Sequence, residues 1–164
     1  WGLCTYITGA PRSEWGRCME SAYEHYLQAS SVRHAVRAVT LHQAMSCDFK
    51  GAALRLMKVN GELADSGLKS ALMLEQAGQL YCSAGSPRKG AFHLVLAGHT
   101  FNKLGLKRLA LNSYRSVVDQ YAGKSWFHIT DHFHFTMARQ AFGLGLLHES
   151  MAHFLKLLNS FTSP

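Results

Sequence analysis

The side chains best suited to chemistry crowd into one stretch, Ser125-Trp126-Phe127-His128-Ile129-Thr130-Asp131-His132-Phe133-His134. There His128 and His132 stand one helical turn apart, with Asp131 beside the second. Two imidazoles at that spacing can share one metal ion. A zinc site needs a third or fourth ligand with outer support, and a catalytic His-Glu-x-x-His would need glutamate where Ile129 stands. The histidines therefore read better as a helix surface, or as hydrogen-bond partners of a neighbouring turn, and no metal ligand is expected. His42 and His99 each precede a turn on their own helix, which suits a role in helix packing.

Nucleophilic and phosphate chemistry leave no trace in the spacing. The chain has no Gly-x-Ser-x-Gly, no Gly-x-x-x-x-Gly-Lys and no paired carboxylates on one helical face. No catalytic or cofactor-binding residue is expected, and an enzyme is not. The basic residues are more suggestive. Arg88 and Lys89 fall in the first turn of a helix, where the dipole is positive and a cation costs about 0.3 to 1 kcal/mol. Lys103, Lys107 and Arg108 gather at the opposite end of the same hairpin. These five are the candidate protein-interaction residues, for an acidic partner surface docking along one edge. A nucleic-acid platform would interleave aromatics with such cations. Here the aromatics fall on packing stripes, so no nucleic acid is expected.

The elements that carry these residues are helical. Only Pro11, Pro87 and Pro164 interrupt 164 residues that are 48% hydrophobic, enough for one continuous core. The net charge of +7, from 17 basic and 10 acidic residues, favours acidic partners without choosing among protein, membrane and nucleic acid. No apolar run approaches the roughly 18 residues of a membrane span. Cys4, Cys18, Cys47 and Cys82 form no Cys-x-x-Cys pair and read as buried free thiols in a reducing compartment. The chain opens on Trp1 without a signal pattern and is expected to be one α-solenoid fragment, 1–164, of a larger protein.

Its organising stretch is Pro87 to Tyr121. Leu94, Ala97, Gly98, Phe101 and Leu104 form one helical stripe, and Leu106, Ala110, Tyr114, Val117, Val118 and Tyr121 form a second. Leu104-Gly105-Leu106 leaves room only for a tight turn, so the two helices fold back on each other. Ala97, Gly98 and Ala110 let the backbones approach while Phe101 and Tyr114 fill the space beside them. The same reading places helices at about 13–29, 31–47, 48–60, 66–83, 87–104, 106–121, 125–142 and 146–160. Ser13, Asp48, Ser86 and Ser125 serve as caps, and Leu68, Ala71, Leu72, Leu74, Ala77 and Tyr81 form the inward stripe of the fourth helix. Asn60-Gly61 ends the third.

Copies of the central hairpin recur. Ala97 and Phe101 are matched by Ala138 and Phe142 at a shift of 41, and Leu106 and Tyr114 by Leu146 and Phe154 at 40, with one residue lost in the turn. A weaker copy sets Phe49, Ala53 and Met57 against Leu106, Ala110 and Tyr114 at 57. These shifts exclude a strict array of about 34 residues per repeat. They predict an all-α, irregular TPR-like α-solenoid of about eight antiparallel helices in stacked hairpins.

The runs Leu68-Lys69-Ser70-Ala71-Leu72-Met73-Leu74-Glu75-Gln76-Ala77 and Arg88-Lys89-Gly90-Ala91-Phe92-His93-Leu94-Val95-Leu96-Ala97-Gly98-His99 resemble the C-terminal helical region of the subunit 8 family of trafficking protein particle (TRAPP) complexes. The likeness continues through Phe101-x-Lys103-x-Gly105, Ala110-Leu111-x-x-Tyr114, Tyr121-x-Gly123-Lys124-x-Trp126, Asp131-His132, Phe135-Thr136 and Arg139-Gln140. Gly90, Ser125 and Phe133-His134 depart from it. Gly90 stands where the family pattern leads one to expect an aromatic. The resemblance implies a non-enzymatic scaffold in a TRAPP III-type tethering and Rab exchange-factor complex of ER-to-Golgi traffic and autophagy. It implies other TRAPP subunits as partners, a Rab GTPase reached only indirectly, and a cytoplasmic location peripheral to Golgi, ER-Golgi intermediate or pre-autophagosomal membranes. Other readings of the residues are a TPR-like adaptor with a peptide in its groove, a basic RNA-binding module and a His-bound metal protein.

Overall fold

In the C-terminal part of the chain, helix starts fall at a fixed interval. In the computed structural model, which describes residues 7–9, 11–29, 32–46, 48–62, 67–121 and 127–162, eight long helices follow one another and no strand occurs among the described residues. They are α1 (Arg12–Gln28), α2 (Val32–Ser46), α3 (Phe49–Glu62), α4 (Gly67–Ser83), α5 (Pro87–Lys103), α6 (Lys107–Tyr121), α7 (Phe127–Gly143) and α8 (Leu147–Thr162). From α4 onward each begins 20 residues after the last.

The interval has a local cause. Three connections, Ala84-Gly85-Ser86, Leu104-Gly105-Leu106 and Leu144-Gly145-Leu146, share one geometry, with Gly85, Gly105 and Gly145 at φ of 72°, 77° and 75°. In each, the residue after the glycine donates its N–H to a carbonyl five positions back, Ser86 to Tyr81, Leu106 to Phe101 and Leu146 to Ala141. The glycine itself donates three back, to Cys82, Asn102 and Phe142 respectively. This is the Schellman motif, which needs a left-handed residue that only glycine adopts without strain.

Registering the helices on these turns corrects the repeat. Phe101 corresponds to Ala141, not Phe142: both are fully buried, whereas Phe142 is 65% exposed. The shift is 40 throughout the last two hairpins, and no residue is lost in the turn. Within it lies a period of 20, which superposes Ala71, Leu74, Ala77, Gly78 and Tyr81 of α4 on Ala91, Leu94, Ala97, Gly98 and Phe101 of α5, all buried. The early copy also moves by one. At 58 rather than 57, buried Ala52, Ala53, Leu56 and Val59 fall on buried Ala110, Leu111, Tyr114 and Val117.

The crossings repeat with the turns. A Cβ on Gly78 would lie 2.7 Å from Leu94 Cγ, and one on Gly98 would lie 2.8 Å from Tyr114 Cε1, the same contact one period later. Gly90 meets the Gly78 carbonyl, and a Cβ there would come within 2.7 Å of that oxygen and 2.3 Å of Cys82 Sγ. This explains why an aromatic cannot stand at position 90. Forty residues further along the stack from Gly98 and Ala110, Ser150 Oγ donates to the Ala138 carbonyl at 3.0 Å.

Extensive backbone contacts join only helices adjacent in sequence. Side chains then link alternate helices. Tyr23 of α1 donates to the Arg55 carbonyl of α3 at 3.2 Å, and Arg55 pairs with Glu20 of α1 at 2.7 Å. Gln140 Nε2 of α7 donates to Asn102 Oδ1 of α5 at 2.6 Å, and Arg115 of α6 pairs with Glu149 of α8. Odd helices thus form one layer and even helices the other, the two-layer stack of an α-solenoid. One core runs from α1 to α4 and the other from α4 to α7.

Because α4 belongs to both cores, its apolar residues surround it, and a single stripe does not describe it. Leu68 and Leu72, expected inside, are 48% and 49% exposed, while Met73 and Leu80 are buried instead. Other details shift as well. Ser13 lies inside α1, which starts one residue earlier, and Glu14 N–H bonds the Pro11 carbonyl. Ser86 precedes α5 without a side-chain capping bond, although Pro87 takes the first helical position. The α3 helix runs past Asn60-Gly61 to Glu62. Asp48 does cap α3, its Oδ1 accepting from Gly51 N–H at 2.9 Å, and a Cβ on Gly51 would fall 2.1 Å from Asp48 Oδ2, so a larger residue there would push the capping carboxylate aside. Cys18 is half-buried and Cys82 exposed rather than buried, both as free thiols. Cys4, Cys47 and the Ser125 cap lie outside the described residues, as does the His42 side chain.

Candidate protein-interaction groove

Between the odd-layer helices α5 and α7 lies a groove of about 400 Å³. From α5 it receives His99 and Asn102, and from the start of α6 it receives Lys107. From α7 it receives His132, Phe135, Thr136, Arg139 and Gln140, residues that recur at three- and four-residue spacing and so share one helical face. Among the described residues, none that lines it is acidic. Lys107 lies against Gly143, where a Cβ would sit 3.0 Å from its Nζ. The guanidinium of Arg139 stacks over Phe135, 5.7 Å from the ring centroid.

The floor is anchored by a hydrogen-bonded pair. Tyr114 is fully buried, and its hydroxyl lies 3.0 Å from His99 Nδ1. With the hydroxyl donating to Nδ1, both groups are satisfied, and the neutral imidazole carries its proton on Nε2. Burial favours these uncharged forms. It pushes Tyr114 up to about 12 and, with help from nearby His132 and Lys103, holds His99 below the ordinary histidine value. Tyr114→Phe should cost about 0.5 to 1.5 kcal/mol in denaturant titration, the net worth of one such bond. No loss at all would mean that the pair is idle.

Gln140 is 8% exposed. Its Nε2 is used by Asn102, but its Oε1 is buried without a hydrogen-bond partner. A buried acceptor in that state is costly until a donor arrives.

A second polar cluster ties α6, α7 and α8 together. Arg115 grips Glu149 through Nε, at 2.7 Å, and Nη2. Glu149 lies 3.9 Å from His153 Nε2, and the Nδ1 atoms of His153 and His134 are 3.0 Å apart. One of these nitrogens must donate and the other accept, so both rings cannot be charged without opposing two N–H groups. Burial comes first in lowering both rings; His153 and Lys156 add to it at His134, against Asp131, and Lys156 and Arg115 add to it at His153, against Glu149. Their lowered folded values mean that the unfolded chain binds more protons below about 6.5, so stability falls as pH drops through that point. Glu149, lowered chiefly by its bond to Arg115, adds a further loss below about 4.5. Thermal melts at descending pH should show a falling midpoint from about pH 6.5, and His134→Phe should flatten the upper part of that slope.

The sequence candidates divide in this structure. Lys103 and Lys107 lie at the groove end of α5. Arg108 is exposed beside Lys107 but does not line the groove, and Arg88 and Lys89 are exposed at the opposite end of α5, roughly 22 Å away along its axis. Asp131 and His132, adjacent in sequence, face different neighbours: His132 approaches His99, with ring centroids 6.2 Å apart, while Asp131 acts on His134. Among the described residues, no three His, Cys, Asp or Glu side chains gather to hold a metal. Arg139 and Gln140 were not singled out as site residues by sequence reasoning. The polar residues His132, Thr136, Arg139 and Gln140, recurring at three- and four-residue spacing, were the available signal.

Comparison with known proteins places one relative beside this chain. Over 156 residues, 92% of this chain, it is 36% identical to the human protein "Trafficking protein particle complex subunit 8". The match spans 11% of that relative's length. No protein-family profile matches, and no solved structure does.

Proposed function

We propose that this chain, which belongs to the family of trafficking protein particle complex subunit 8, is a non-enzymatic scaffold module that presents side-chain surfaces to other TRAPP subunits. The observation that carries the reading is the likeness along nearly the whole stack. It is supported by the architecture: paired helices in two layers yield long surfaces rather than an enclosed reaction centre. The finer reading is a TRAPP III-type tethering and Rab exchange-factor complex in ER-to-Golgi traffic and autophagy. In it the module reaches the Rab GTPase only through sister subunits, and reaches Golgi or pre-autophagosomal membranes from the cytoplasm through the assembled complex. No helix among the described residues is long and apolar enough to cross a membrane. Arg88, Lys89, Lys103, Lys107 and Arg108 are the proposed rim cations.

Deleting the segment equivalent to residues 67–162 from the full-length protein tests the reading. The remaining subunits should sediment as a smaller or incomplete complex. Unchanged assembly and unchanged transport would contradict it. A peptide-binding adaptor is the second reading, favoured by the cation-lined groove between α5 and α7.

A further inference from the structure

We propose that the groove between α5 and α7 binds an extended acidic peptide segment of a partner protein, with a carboxylate on Lys107 and Arg139 and a main-chain N–H on Gln140 Oε1. The proposal rests on the scaffold reading and names the chemistry of one of its partners.

Three observations converge. Lys107 and Arg139 have no carboxylate partner among the described residues, and no described residue that lines their groove is acidic. Two other arginines of the stack do have carboxylate partners, half-buried Arg55 with Glu20 and Arg115 with Glu149. Stacking on Phe135 fixes the Arg139 guanidinium before any ligand arrives, which reduces the side-chain entropy lost on binding. The third observation selects the kind of ligand. Gln140 Oε1 is a buried acceptor without a partner, so the occupant must bring a donor as well as a negative charge. A simple carboxylate lacks that donor, whereas a peptide carries an N–H at each residue and acidic side chains between them, so it can meet the acceptor and both cations at once. In the neutral His99, a proton on Nε2 adds a donor for the same acidic groups.

The test uses the 164-residue chain and a labelled peptide of alternating Glu and Ser, with a Gln and Ser peptide as control, read by fluorescence anisotropy. The acidic peptide should bind and the control should not. Arg139→Glu and Lys107→Glu should each weaken binding about tenfold or more, as loss of a charge-assisted contact does. Gln140→Leu should weaken it about tenfold by leaving a buried N–H unpaired. Arg33→Glu, an equal change of charge on exposed α2, should leave it unchanged. Circular dichroism confirms that each variant is helical.

Equal weakening by Arg33→Glu would reduce the effect to net charge and overturn the proposal. So would indifference to both groove reversals, or tighter binding of an RNA oligonucleotide through the same residues. If TRAPP subunits still co-purify while the groove variants bind the peptide normally, the groove assignment fails and the scaffold reading stands. Peptide binding without co-purification would have the opposite meaning.

Discussion

Tyr114→Ala should remove about 3 to 5 kcal/mol of folding free energy, the range for deleting a buried aromatic side chain. Three helices meet on this side chain. It fills the space that Gly98 leaves on α5, its hydroxyl holds His99, and its ring lies 6.2 Å from that of Phe133 on α7. Alanine would leave a cavity where α5, α6 and α7 join, and the small residues around it have little with which to fill the gap. In a stack whose helices contact mainly their neighbours, the loss should not spread evenly. The α6–α8 end should loosen first while α1–α4 keeps its own core. Urea titration followed by circular dichroism should therefore show a lower midpoint and a broader transition. A loss below about 1 kcal/mol would mean that the junction is loosely packed.

Gly90→Ala should destabilise by about 1 to 3 kcal/mol, although alanine is intrinsically the better helix former by about 1 kcal/mol. The added carbon would sit 2.7 Å from the Gly78 carbonyl oxygen and 3.0 Å from the Cys82 nitrogen, and backbone cannot swing aside as a long side chain can. α4 and α5 must then separate, and theirs is the most extensive helix contact among the described residues. Gly16→Ala supplies the control. It also lies within a helix, but a Cβ there meets nothing within 4 Å, so the same substitution should stabilise by about 0.5 to 1 kcal/mol. Opposite signs from one chemical change would separate crossing geometry from helix propensity.

Much of this architecture was legible because its signals are local. Leu104-Gly105-Leu106 and Gly145 mark turns that need a left-handed residue, Pro87 marks a helix start, and the stripe through Leu94, Ala97 and Phe101 has one unambiguous face. The repeat shifts by one residue because Phe142, an aromatic like Phe101, draws the alignment away from Ala141, the buried counterpart. Turn chemistry, not side-chain size, sets the register, and Gly105 and Gly145 align at 40. Leu68 and Leu72 were misplaced for a different reason: α4 is covered from two sides, and periodicity cannot choose a face where no polar face exists. The groove was least legible. Its members come from α5, α6 and α7, all but Phe135 are ordinary polar residues by type, and only the layering brings Asn102 within 2.6 Å of Gln140. The histidine run drew attention through spacing alone, and the fold then turned His132 and His134 toward different helices.

Affinity purification of the tagged 164-residue chain from a cell lysate, with bound proteins quantified by mass spectrometry, tests the scaffold account most directly. The account predicts enrichment of several TRAPP subunits over an unrelated helical protein of equal charge, and a reduced yield of at least one of them with Arg139→Glu. A folded, fully helical chain that enriches none of them would contradict it.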